Sequence, residues 1–105
     1  MNLQDYWYVL KVKSQHELNV VSNLNKLGLE AYTPFVEQTR QWSDRKKKIK
    51  KALISRHVFV KLSRDDEYKV FESIGVLGYM SIHGQRAKVW PKEINNLKNY
   101  CNQRY

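Results

Sequence analysis

The sequence predicts an α+β domain: a ferredoxin-like β-α-β-β-α-β antiparallel sheet, helices on one face, with a C-terminal β-α extension. Three observations predict it. Aromatic and β-branched runs of strand length alternate with stretches of helical apolar spacing. Capping signals and glycines bound the helical stretches. The chain has 105 residues, 42% of them hydrophobic, which suits one modest core. A single domain over 1–105 is expected.

"YWYVLKVK" (Tyr6–Lys13) reads as the first strand. Alternation sets Tyr8, Leu10 and Val12 on one face, and Trp7, Val9 and Lys11 on the other. Ser14-Gln15-His16-Glu17 matches a capping box, with Glu17 returning to the Ser14 amide. Leu18, Val21, Leu24 and Leu27, helped by Val20, then give helical spacing, and Gly28 suits a left-handed cap. Glu30 to Arg40 is the second strand. Pro34 cannot donate to a ladder, so it belongs at an edge or an irregular point. Trp42-Ser43-Asp44 starts the connection, and the basic run Arg45 to Lys51 occupies it.

Leu53 to Leu62 is the third strand. Val58, Val60 and Leu62 share one face; Ser55, His57 and Phe59 share the other. Ser63 to Asp66 forms a second capping box, and Tyr68, Phe71 and Ile74 give the next helix its apolar stripe, ended by Gly75. "VLGYMSIHG" is the fourth strand. Gly84-Gln85 turns it into a short "AKVW" strand, and Pro91 opens a last helix with Ile94, Leu97 and Tyr100 or Cys101 at core spacing.

Right-handed crossovers put both main helices on one face of this sheet. The aliphatic rows Tyr8-Leu10-Val12 and Val58-Val60-Leu62 then pack beneath them. The opposite face, with Phe59, His57 and Val9, is expected to stay open as an interaction patch; alternation alone does not assign Ile82 of the fourth strand to this face or to the other. The alternative is that the segment after Gly84 folds over and covers it.

The net charge is +9, from 19 Lys and Arg against 10 Asp and Glu. Such an excess attracts polyanions. No run of 18 apolar residues spans a membrane, and the start carries no secretory pattern. Cys101 is the only cysteine, so no intrachain disulfide forms, which fits a cytoplasmic setting. His16, His57 and His83 lack metal-ligand spacing. Asp65, Asp66 and Glu67 read as dipole partners of a helix start rather than as catalytic acids. No enzyme activity, cofactor or metal is expected, and a monomer is.

Taken in order, "WYVL", "YTPFVE", an "RxW" element, the basic run, "LISRHVFVKL", "GVLGYMSIHG" and "KEINNLKNY" resemble the N-terminal (NGN) domain of NusG-type transcription elongation factors. Within that family the chain is most similar to the specialised RfaH-like and UpxY-like antiterminators. The resemblance implies binding to the β′ clamp helices of RNA polymerase through Lys11, Ile54, Ser55, His57, Phe59 and Ile82. It implies a contact to the β-subunit gate loop through Asp66, Glu67 and Tyr68. It also implies contact with non-template DNA, or nascent RNA, near Lys13, Asn19, Asn23, Ser73 and Ile74. The basic hairpin lies alongside, with Trp42, Arg45, Lys46, Lys47, Lys48, Lys50 and Lys51. "ISRH" stands where the family has an "FPGY"-like segment, and no KOW-type barrel is expected in this chain.

An RRM-type single-stranded RNA module shares the element order. Its third-strand signature needs K/R-G-F/Y-G/A-F-V-x-F/Y, of which "SRHVFVKL" supplies only the F-V portion.

Overall fold

The computed structural model describes residues 6–42, 45–61 and 66–104. In order these form β1 (Trp7–Val12), α1 (Glu17–Lys26), β2 (Glu30–Tyr32), β3 (Phe35–Trp42), β4 (Arg45–Ala52) and β5 (His57–Lys61). A 3-10 turn (Lys69–Glu72) follows, then β6 (Val76–Tyr79), β7 (Ser81–Ile82), β8 (Gln85–Arg86), β9 (Lys88–Val89) and α2 (Pro91–Arg104).

The main sheet runs β2-β5-β1-β6, and β9 takes the rest of the β1 edge. Its pairings are antiparallel. β1 meets β5 from Trp7↔Lys61 to Lys11↔His57. On its other side β6 pairs with Leu10 to Val12, and β9 with Trp7 and Tyr8. β7 and β8 leave the sheet as a small hairpin between them. β3 and β4 form a separate two-stranded ribbon.

The face assignment of the aliphatic rows holds. Leu10, Val12, Val58 and Val60 pack against Val20 and Leu24 of α1, with Leu29 and Val70. Each such side chain removed from water contributes about 1.5–3 kcal/mol. Leu62 and the first three residues of the second capping box, Ser63 to Asp65, lie outside the described residues.

The other face is not open along its length. Trp7, Val9 and Phe59 are buried with Ala87 and with Ile94 of α2, and Leu97 packs against them. The helices α1 and α2 therefore cover opposite faces of the sheet. Trp7, Val9 and Phe59 are too large and apolar to leave wet, and the segment after Gly84 covers them.

Three further expectations change. The second main helix is a 3-10 turn among the described residues, and it buries Val70 rather than Tyr68, Phe71 and Ile74. Those three are exposed, Tyr68 by 76% and Ile74 by 79%. Ser14 is a turn residue; α1 is capped at His16, which makes no side-chain cap bond. The basic run is a strand rather than a connection, because its backbone groups pair with β3 over eight positions, from Phe35↔Ala52 to Trp42↔Arg45. Alternation also puts successive cations on opposite faces, so neighbours on one face stand about 7 Å apart.

Pro34 falls at the break between β2 and β3, where its carbonyl accepts from Leu53 N–H at 2.8 Å and the N–H it lacks is not needed. Gly28 takes φ +90 after α1, as its cap requires.

Candidate polymerase and nucleic-acid interface

α2 stops short of one end of the second sheet face. Lys11 and His57 are paired there across β1 and β5; Lys11 is exposed and His57 half-buried. Gly78, opposite Lys11 on β6, adds no side chain. Ser55 is exposed and Ile54 half-buried against the α2-side cluster. The structure thus brings Lys11, Ile54, Ser55 and His57 to one open end of the sheet. Phe59 does not join them, since it is 9% exposed beneath α2. Ile82 is 53% exposed on the β7–β8 hairpin, where it lines a cleft with Tyr8.

The turn that presents Ser55 is held from several sides. Arg56 lies at φ +66, a left-handed conformation that costs a non-glycine residue energy. Its N–H donates to Glu17 Oε2 at 2.7 Å, and its carbonyl accepts from Val12 N–H at 3.0 Å. His57 Nδ1 donates to the Ser55 carbonyl at 2.9 Å, which fixes the ring and leaves Nε2 for a partner. Thr33 Oγ1 donates to the His57 carbonyl at 3.4 Å. Glu17 is the residue that sequence reasoning misassigned. Its carboxylate is buried and serves the Arg56 amide, 39 residues away, rather than a capping box.

The acidic pair is half-buried, and each member faces a cation of this chain. Asp66 stands 3.9 Å from Lys69. Glu67 pairs with Arg86, and its carbonyl accepts from the Tyr79 hydroxyl. Burial pushes that phenol up to about 12, against the opposing pull of Arg86. Tyr68 alone of the three is exposed, at 76%, and Phe71, Ile74 and Leu77 after it in the chain are exposed as well.

Lys13 and Asn19 are exposed, and Asn23 is half-buried one turn beyond Asn19 on α1. Ser73 is buried with its hydroxyl donating to the Ile74 carbonyl, so it presents nothing to a nucleic acid. Ile74 beside it is exposed. Arg45, Lys46, Lys48, Lys50 and Lys51 are exposed on β4. The side chains of Trp42 and Lys47 lie outside the described set. At the base of the ribbon a cleft of about 650 Å³ is lined by Asn19, Lys50, Lys51 and Ser55, among others. Residues expected for DNA and for the polymerase clamp meet there. Among the described residues, no group of three or more His, Cys, Asp or Glu is placed to hold a metal ion. No helix among them is long and apolar enough to cross a membrane.

Residues 5–98 match the family described as transcription termination factor NusG. The chain belongs to the NusG family. Its fold is similar to that in a solved structure of Thermotoga maritima NusG, a study of domain interaction, with TM-score 0.55 and 22% identity. That match covers 95% of this chain and 59% of the other, so the chain spans about three-fifths of the relative's length. No curated protein matches it. NusG-family proteins are transcription factors and not enzymes. The NusG-like fold here is α+β, with an antiparallel sheet and, among the described residues, two α-helices.

Proposed function

We propose that this chain is the polymerase-binding domain of a specialised, RfaH- or UpxY-like antiterminator. It binds RNA polymerase and suppresses pausing or termination. The open end of the sheet, with Lys11, Ile54, Ser55 and His57, meets the β′ clamp helices, and Ile82 extends the contact from its hairpin. The gate loop of the β subunit meets the edge begun by Tyr68. The ribbon, with Lys13 and Asn19, lies against nucleic acid of the elongation complex.

One observation carries this reading. Residues 35–52 hold seven Lys and Arg against two acids, five of the nine net charges, on a ribbon separate from the main sheet. A soluble loop needs no such ladder, whereas a polyanion partner rewards it. The RNA-module reading loses support, because the face such a module needs open is filled by Trp7, Val9 and Phe59 under α2.

The test is capture of RNA polymerase core by the tagged chain. Lys11→Glu with Ser55→Asp, both at exposed positions, should abolish capture while leaving the fold intact. Undiminished capture by that variant would move the clamp contact elsewhere, and no capture of polymerase at all would sink the proposal.

A further inference from the structure

The β7–β8 hairpin is short. Its residue pairs are Ser81↔Arg86 and Ile82↔Gln85, and it turns at His83 and Gly84, both at positive φ. A hairpin of this size does not hold its own direction in water. Backbone bonds fix its base. Met80 N–H donates to the Val9 carbonyl at 2.8 Å, and Ala87 N–H to the Met80 carbonyl at 2.9 Å. Beyond that base, Ser81 to Gln85 are exposed and Arg86 is half-buried.

Arg86 is half-buried because its side chain crosses to another part of the chain. Its guanidinium lies 4.2 Å from the centroid of the Tyr79 ring. Its Nη1 donates to Glu67 Oε1. Tyr79 closes the arrangement, since its hydroxyl donates to the Glu67 carbonyl. Glu67 is therefore held twice, at its backbone by Tyr79 and at its carboxylate by Arg86. Phe71 adds an edge contact to the same Tyr79 ring, with centroids 6.1 Å apart. Tyr68 lies in the chain between Glu67 and Phe71 and is exposed, as is Ile82 on the hairpin. One set of contacts thus ties the segment bearing Tyr68 to the hairpin bearing Ile82.

The energetics favour orientation over stability. The Arg86 and Glu67 side chains remain 36% and 27% exposed, and a part-exposed ion pair adds little to folding stability. A planar guanidinium held against both a ring and a carboxylate does fix direction. Fixing a contact surface before binding removes an ordering cost from the binding step.

We infer that Arg86 is a positioning residue for polymerase binding. Through Glu67 and Tyr79 it holds the hairpin and the Tyr68 segment in one arrangement, so that Ile82 and Tyr68 meet the polymerase as a preformed surface. This rests on the function proposed above and deepens it. Glu67, expected as a gate-loop contact, then serves that contact through Arg86 rather than by touching the polymerase.

The experiment uses the full chain, with RNA polymerase core as the probe. Arg86→Gln and Glu67→Ala should each weaken capture by about threefold to tenfold, and the double variant by no more than either. Ile82→Ala should also weaken capture. In that background Arg86→Gln should cost less than about twofold, because a hairpin that makes no contact needs no positioning. In the free chain, Arg86→Gln should lower the backbone amide order parameters of Ser81 to Gln85 from about 0.85 toward about 0.6. Its melting temperature should stay near that of the parent. Unchanged capture, an equal loss in the Ile82→Ala background, or hairpin order parameters like the parent's would each overturn the inference. Order parameters that respond, with no capture by the parent, remove the polymerase reading and leave Arg86 holding the hairpin. Capture by the parent that is indifferent to Arg86→Gln and Glu67→Ala does the reverse.

Discussion

The Glu17 carboxylate accepts the backbone N–H of Arg56 at 2.7 Å, joining the first turn of α1 to the turn between β4 and β5. Glu17 is buried, and Arg56 holds a left-handed backbone there. Glu17→Ala leaves the Arg56 amide without this acceptor and should cost about 1–3 kcal/mol. Glu17→Gln keeps an acceptor oxygen and should cost less. Urea unfolding of the two variants gives the order, and Arg56 amide exchange should rise most in the alanine variant. Equal losses would mean that packing, not the hydrogen bond, is what Glu17 contributes.

Phe59 and Val60 lie in different cores on opposite faces of β5. Both Phe59→Asp and Val60→Asp should unfold the domain, because each buries an unpaired charge. Phe59→Ala should cost about 3–5 kcal/mol. Ile82→Ala, on the exposed hairpin, should stay within about 0.5 kcal/mol. Thermal melts of the four variants check this, and a Phe59→Asp protein that melts like the parent would contradict burial beneath α2.

The Tyr79 hydroxyl donates to the Glu67 carbonyl, and burial raises its pKa from 10.0 to about 12. The folded state therefore holds this proton more tightly than the unfolded chain. Stability from Tyr79 is full below pH 10 and is lost as pH rises toward about 12. Tyr79→Phe removes the hydrogen bond, at about 0.5–1.5 kcal/mol near neutral pH. It should also flatten the alkaline fall in stability. Denaturant midpoints measured across pH 9 to about 12 test it; parallel curves for the two proteins would exclude Tyr79 as the group responsible.

Gly75 sits at φ +105, and a β-carbon there would stand 3.2 Å from Val20 Cγ2 and 3.3 Å from His16 Cβ. Gly75→Ala therefore meets both backbone strain and crowding against α1. It should destabilise by more than about 1 kcal/mol. Gly28→Ala, which meets strain at φ +90 but open space, should cost less. A reversed order would show that crowding at α1 relaxes freely.

Much of the α1-side core was legible in the residues. Period two on Leu10-Val12 and Val58-Val60, with helical spacing at Val20 and Leu24, assigns these side chains to one interior. Gly28 and Pro91 mark the end of one helix and the start of another through their own backbone limits. The concentration of charge between Arg40 and Lys51 is likewise a property of composition. Each depends on a residue and its near neighbours, which is why sequence alone determined them.

The tertiary structure decided where those amphipathic pieces went. Ile94 and Leu97 announced an apolar stripe on α2, but spacing names no partner, and only the chain path from β9 laid it over Trp7, Val9 and Phe59. Val70 took the inward place that Tyr68, Phe71 and Ile74 seemed to claim, because a 3-10 turn aims side chains differently from an α-helix. Glu17 fits a capping box by spacing, yet a carboxylate goes to the buried donor that needs it most, and that donor came from Arg56. The basic run became a strand because β3, two residues before it, offered its backbone a full set of partners, and a run of lysines carries no strand signal of its own.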